Sequence, residues 1–279
     1  MNRKDGQFTG RGGIRLHWQA WEPDGPTRAV LLVAHGYGEH GGRYGNLVDH
    51  FLPQGYSVYA LDHRGHGRSQ GPRGHVGRFG EFVTDLHALR VRIEEEHKET
   101  PLVLVGHSMG GLIAIHYVLD HGPGLAAAVL SSPCLGIPNP PSRTQGALAS
   151  IFSVIAPRLG YEAKLNPDDL SHEPTVGRAY AADPLVHRRA TARFYTEFSA
   201  AMHDATERAG EITLPILILQ AGSDRLVDPE ATVRFCERVA SADKKLRVYP
   251  ALFHEIFNEI ERDQVLADLE AWLEPRLTR

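Results

Sequence analysis

Cysteine is nearly absent: Cys134 and Cys236 are the only two in 279 residues. That is too few for a disulfide framework, and neither stands in a Cys-x-x-Cys pair, so two free, largely buried thiols are expected. No apolar run approaches the roughly 20 residues that span a bilayer, so any membrane contact would be peripheral. Arg3 and Lys4 open the chain, but no apolar stretch follows them as a signal peptide requires, and the expected compartment is the cytoplasm. Charge of one sign is lacking too. With 30 Lys and Arg against 34 Asp and Glu, interspersed, and a net charge of -4, the chain has no electrostatic footprint for nucleic acid. The 16 histidines invite a metal reading, and His254-Glu255 begins like a zinc-protease helix. Asn258 stands where the second histidine should be, so no metal is expected.

What is present suits a globular enzyme. Hydrophobic residues make up 42% and charged residues 23%, enough for one sizeable core. Phe8 to Trp21 alternates apolar and polar residues around Gly12-Gly13 and reads as a hairpin. Short apolar runs then alternate with helical stretches: Ala29–Ala34, Tyr56–Leu61, Leu102–Val105, Ala127–Leu130, Ile216–Gln220 and Leu246–Tyr249. That rhythm predicts an α/β fold with a mostly parallel sheet flanked by helices. Between Leu130 and Leu214 no strand candidate appears over a span too long for a simple crossover. The segment opens on Pro133, Pro138, Pro140 and Pro141 and carries helix-like pieces at Thr144–Leu159 and Thr191–Ala209. It predicts a helical cap over 136–209, inserted after the sixth strand, with 1–135 and 210–279 as the core. Such a cap would sit over the strand ends where open α/β sheets bind ligands. Its apolar stretch Leu148–Ala156 reads foremost as a core-facing helix, with an acyl channel or lipid docking as the alternatives.

Leu102–Val105 runs into Gly106-His107-Ser108-Met109-Gly110-Gly111, followed by the helical run Leu112–Leu119. This is the strand-turn-helix context that Gly-x-Ser-x-Gly requires, with Ser108 exposed on a sharp turn at a helix N-terminus. A serine hydroxyl is a weak nucleophile and needs a base. Triad partners in this context follow in the order Ser, Asp or Glu, His. Asp224 lies in the loop after Ile216–Gln220. Its rival Asp228 precedes Pro229 and a helical run, and suits an N-cap. His254 follows the last strand candidate, whereas His87 and His116 fall within predicted helices. Ser108 is thus the expected nucleophile, His254 the base and Asp224 its orienting acid.

Gly36-Tyr37-Gly38-Glu39-His40-Gly41 satisfies G-x-G-x-x-G after a strand candidate, with Asp62 at the end of the next. This is a dinucleotide-binding signal and makes a nicotinamide oxidoreductase the rival reading. A hydrolase needs a turn at the same place, since one oxyanion N–H comes from the loop after an early strand and the other from the residue after the nucleophile. The amides of Tyr37 and Met109 fit those two positions. The hydrolase reading uses all four segments and the dinucleotide reading only one. A ligand receptor on the same fold is the third class.

The combination of His35-Gly36-Tyr37-Gly38-Glu39-His40-Gly41-Gly42-Arg43-Tyr44, Asp62-His63-Arg64-Gly65-His66-Gly67-Arg68-Ser69, the Ser108 turn, Asp183-Pro184-Leu185 and His254-Glu255-Ile256-Phe257-Asn258-Glu259 resembles the monoacylglycerol lipase family of α/β-hydrolases, especially its bacterial members. The resemblance covers nearly the whole chain. It implies a capped hydrolase that cleaves a small lipid ester to fatty acid and glycerol without a cofactor, with Ser108, Asp224 and His254 as triad and Tyr37 and Met109 as oxyanion donors. It places Glu39 and Arg43 near the glycerol-side pocket, where they either touch substrate or form a buried ion pair that shapes the loop. Asp62 to Ser69 reads as scaffold. Short-chain esters and lysophospholipids are the alternative substrates.

Overall fold

In the computed structural model, which describes residues 2–138, 140 and 142–277, the chain runs through β1 (Asn2–Thr9), β2 (Arg15–Glu22), β3 (Ala29–Ala34), α1 (Gly45–Phe51), β4 (Tyr56–Leu61), α2 (Gly80–Glu96), β5 (Leu102–His107), α3 (Met109–His121) and β6 (Ala127–Ser131). The insertion follows: α4 (Arg143–Ile155), β7 (Gly160–Glu162), α5 (Pro174–Ala182), β8 (Arg189–Thr191) and α6 (Ala192–Glu207). β9 (Ile216–Ala221), α7 (Pro229–Arg238), β10 (Lys244–Tyr249) and α8 (Arg262–Leu277) complete the core. Eight strands form one sheet in the order β1-β2-β4-β3-β5-β6-β9-β10. Only the β1–β2 and β2–β4 pairings are antiparallel.

The unbroken apolar runs have a simple cause: the parallel strands are covered on both faces. On β3, Val30, Leu32 and Ala34 pack with α2 and α3 in one layer. Ala29, Leu31 and Val33 pack with α1 and α8 in the other. The same alternation divides Leu102 and Leu104 from Val103 and Val105 on β5.

Several expectations are corrected in detail. The hairpin is longer than Phe8 to Trp21 and starts at Asn2. The insertion holds two three-residue strands, β7 and β8, paired antiparallel, and a helix, α5, beyond the two helical pieces expected there. α4 is not core-facing over Leu148–Ala156. Leu148, Ile151, Val154 and Ile155 are 52%, 55%, 73% and 70% exposed. The helix instead turns Ser153 inward, where its hydroxyl meets that of Thr196 on α6 at 2.8 Å. Pro141 falls outside the described residues.

Candidate active site

The site grows from the C-terminal edge of the sheet. β5 ends at His107, and Ser108 follows with φ 53° and ψ -116°, a backbone strained for a non-glycine residue, before α3 begins. Such strain is tolerated where surrounding contacts impose it. Here the turn is drawn so tightly against its neighbours that a Cβ on Gly110 would stand 1.9 Å from the Ala34 carbonyl oxygen, and one on Gly106 2.4 Å from that of Gly110. Only glycine fits at either position. Ser108 N–H donates to the Ser131 carbonyl at 3.0 Å, which ties the elbow to the end of β6.

Asp224 and His254 are brought face to face by stitching between the loops after β9 and β10. Gly222 N–H donates to Tyr249 O (2.8 Å) and Ser223 N–H to Leu252 O (3.1 Å), while Ser223 Oγ donates to Pro250 O (2.8 Å). Asp224 Oδ2 then lies 2.6 Å from His254 Nδ1. Its other oxygen accepts the N–H groups of Leu226 (2.8 Å) and Val227 (3.0 Å). Burial opposes the charge on Asp224, but the imidazole and these two donors outweigh it and hold the carboxyl below its usual range. Burial likewise opposes a proton on His254. The adjacent Asp224 carboxylate, with Glu255 and Glu39 behind it, prevails and raises the imidazole above 6.5. Asp228 is not a competitor: its side chain caps α7 by accepting Glu230 N–H at 3.0 Å.

The structure does not join Ser108 to His254 by a hydrogen bond. It brings them together through His107, the residue before the nucleophile, whose ring centroid is 4.7 Å from that of His254. The loop after β3 closes the other side: a Cβ on Gly36 would lie 3.4 Å from Ser108 Cβ. Tyr37 therefore sits beside the nucleophile, and Met109 opens the helix directly after it.

Glu39 and Arg43 are committed to each other. Glu39 Oε2 accepts from Arg43 Nη1 at 2.7 Å, and its Oε1 accepts Gly36 N–H (2.6 Å) and the Tyr44 hydroxyl (2.9 Å). Arg43 is also clasped in two places by Glu255, at 2.6 and 2.9 Å. Beside this ion triad lies a void of about 10 Å³ lined by Tyr44, His107, Phe257 and Asn258 among others, room for about one water. The loop anion also disposes of the dinucleotide reading, because the Gly36 N–H that a phosphate would need is taken by a carboxylate. Asp62 is likewise internal, accepting Gly41 N–H (2.9 Å) and Arg68 N–H (2.8 Å).

Sequence reasoning missed Glu255 and Glu259 as working parts. Glu259, 0% exposed, accepts Phe253 N–H (2.6 Å), His172 N–H (2.8 Å) and Ser171 Oγ–H (2.9 Å), pinning the His254 loop to the insertion. Their proximity to His254 in sequence was the available signal. Among the described residues, one group could hold a metal ion, Glu22, Glu96 and His97. It lies at the opposite edge of the sheet, where Lys4 already pairs with Glu22.

Comparison with known proteins agrees with this architecture. Residues 25–261 match the family described as serine aminopeptidase, S33. A monoacylglycerol lipase of Mycolicibacterium smegmatis is 38% identical over 97% of this chain and 97% of its own length. A Bacillus subtilis protein named phospholipase YtpA is 34% identical over 90% of this chain and 97% of its own. Among solved structures, the monoacylglycerol lipase of Paleococcus ferrophilus superposes with a TM-score of 0.82 at 31% identity, covering 99% of this chain and 100% of that one. The chain belongs to the monoacylglycerol lipase family of the α/β-hydrolase superfamily and is a serine ester hydrolase.

Proposed function

We propose that the protein hydrolyses monoacylglycerols to fatty acid and glycerol through an acyl-enzyme on Ser108. The observation that carries this reading is the 2.6 Å contact between Asp224 and a buried His254 on the same sheet edge as the strained serine elbow. Asp224 holds the proton on Nδ1 of His254 and leaves Nε2 free to take the Ser108 proton. Ser108 Oγ attacks the ester carbonyl as that proton transfers, and the amides of Tyr37 and Met109 receive the oxyanion. His254 then gives its proton to the departing glycerol, and water repeats the cycle on the acyl-enzyme. The Ser108–His254 hydrogen bond forms as substrate fills the site.

Monoacylglycerol is favoured over other esters by the names of the relatives, with the phospholipase relative keeping a lysophospholipid as the alternative. The insertion, with residues 136–209 as its extent, acts as the cap. An apolar cavity of about 510 Å³ between α4 and the start of α6, lined by Leu148, Phe152, Leu159, Tyr161 and Tyr195, is of a size to accept an acyl chain. No described helix is long and apolar enough to cross a membrane. Contact with a lipid surface is through the exposed side chains of α4, in keeping with a cytoplasmic enzyme that meets its substrate at a membrane.

Wild type and Ser108→Ala, given monoacylglycerols, lysophospholipids and p-nitrophenyl esters, decide the matter. Turnover by wild type alone, highest on monoacylglycerol, is expected. Equal turnover in both would remove Ser108 from the reaction, and none in either would return the chain to a receptor role. Val154→Asp should reduce sedimentation with anionic liposomes; unchanged sedimentation would remove the lipid-surface contact.

A further inference from the structure

The segment that leads out of α5, residues 183–191, does more than return the chain to α6. It is fastened first to the loop after β3 and then to the loop after β4. Asp183 Oδ2 meets His40 Nε2 at 2.9 Å, and His187 N–H donates to Gly38 O at 2.9 Å. The approach is so close that a Cβ on Gly38 would lie 2.4 Å from the His187 carbonyl oxygen. Further along, Thr191 N–H donates to Gly74 O (3.0 Å), and the Thr191 hydroxyl meets His75 Nδ1 (3.0 Å). The segment is therefore a fixed support.

Besides His40, a second side chain reaches across to it from the oxyanion loop. The Tyr37 hydroxyl donates to the Arg189 carbonyl at 2.6 Å. Its ring is held between those of His187 (5.8 Å), His66 (6.0 Å) and Phe194 (5.3 Å). In the loop itself Gly36 N–H is held by Glu39 and Gly38 O by His187. The backbone of Tyr37 is thus fixed on each side in sequence, and its phenol supplies the third point. Burial pushes the phenol pKa up, so the group stays a donor across the working range.

We propose that the Tyr37 phenol is a positioning residue: anchored on the Arg189 carbonyl of the cap, it orients the amide of its own residue toward the oxyanion. This rests on the serine-hydrolase reading above and adds that the cap contributes to the chemical step, not only to substrate access. An oxyanion donor acts by preorganisation, and displacing one costs rate without weakening ground-state binding.

Tyr37→Phe is the test, since it deletes one hydrogen bond and keeps the ring. A lost hydrogen bond of ordinary net worth corresponds to roughly a three- to tenfold effect. We expect kcat to fall by that factor with KM within about twofold, and the affinity for a trifluoromethyl ketone analogue of the ester, which forms a tetrahedral adduct on Ser108, to fall in parallel with kcat/KM. Unchanged kcat and analogue affinity would overturn the proposal. A change confined to KM would do so too, because it would make the phenol a substrate contact. Fluorophosphonate labelling of wild type, absent in Ser108→Ala, separates the two levels. If wild type is not labelled, the serine-hydrolase reading fails; if it is labelled and Tyr37→Phe behaves as wild type, only the positioning role fails.

Discussion

Replacing Asp224 by asparagine should abolish most activity while leaving the fold intact, and the structure fixes which way the new amide must face. One carboxylate oxygen of Asp224 accepts two backbone N–H groups, from Leu226 and Val227; the other faces His254 Nδ1. Asparagine has one oxygen, and turning its NH2 toward two backbone donors would leave three buried donors in conflict. The oxygen therefore stays with Leu226 and Val227, and the NH2 faces Nδ1. His254 must then accept at Nδ1 and carry its proton on Nε2, the tautomer that cannot take a proton from Ser108. In a Ser-His-Asp triad this tautomer change costs about 10⁴-fold in kcat, or about 5.5 kcal/mol. Hydrolysis of p-nitrophenyl butyrate measures the loss, and circular dichroism confirms folding. The residual activity should also show its acid limb displaced downward, because burial disfavours protonated His254 once its main anionic partner is gone. A loss under about tenfold, or a residual pH profile like that of wild type, would refute the tautomer argument and with it the role of Asp224.

In wild type, kcat/KM should rise with pH through a limb above 6.5, since activity needs neutral His254 and its pKa is raised; a limb below 6.5 would contradict the assignment. Glu255→Gln should shift that limb downward, because Glu255 is one of the anions that raise His254. The same change should destabilise the protein by about 1–3 kcal/mol in urea unfolding, as an amide donor then faces the Arg43 donors; an unmoved limb would show that the ion triad only shapes the loop. Acid should destabilise the fold steeply. Burial, aided by neighbouring imidazoles, depresses His35 and His63 to about 3 and His107 to about 4, and with Arg73 depresses His187 to about 4. Below pH 6.5 the unfolded chain takes up protons that these groups refuse when folded, so each removes about 1.4 kcal/mol per pH unit as pH falls toward 4. Thermal midpoints measured from pH 7.5 to 5 should drop accordingly, and a flat series would refute it.

The two-faced burial of the sheet made its strands legible as unbroken apolar runs, and the turn chemistry of Gly106 to Gly111 made the nucleophile legible. Strand ends were less so. β5, β6 and β9 continue past the expected ends to His107, Ser131 and Ala221: His107 and Ser131 are polar residues that serve the site at the sheet edge, while Ala221 packs in the core. β10 starts two residues before the expected Leu246, at Lys244-Lys245, charges that suit an exposed edge strand and disguise it. α5 did carry a signal, Pro174 at its first turn, but its cap is Glu173, outside the usual capping set.

The coupling of the insertion to the site was illegible for a different reason. Leu170, Gly38 and Arg189 take part through backbone carbonyls: Leu170 O accepts Glu255 N–H at 2.8 Å, Gly38 O accepts His187 N–H, and Arg189 O accepts the Tyr37 hydroxyl. A carbonyl acceptor places no demand on its own side chain, so no residue type marks Leu170 or Arg189, and the glycine at 38 answers to the close approach of His187 and not to the bond. The Tyr37 contact also spans 152 residues, beyond any local periodicity. What a sequence can reveal of such a contact is its side-chain half alone. A tyrosine in a loop where glycine and small residues would make the turn equally well is that half, and its cost to the loop is explained once the carbonyl it reaches is known.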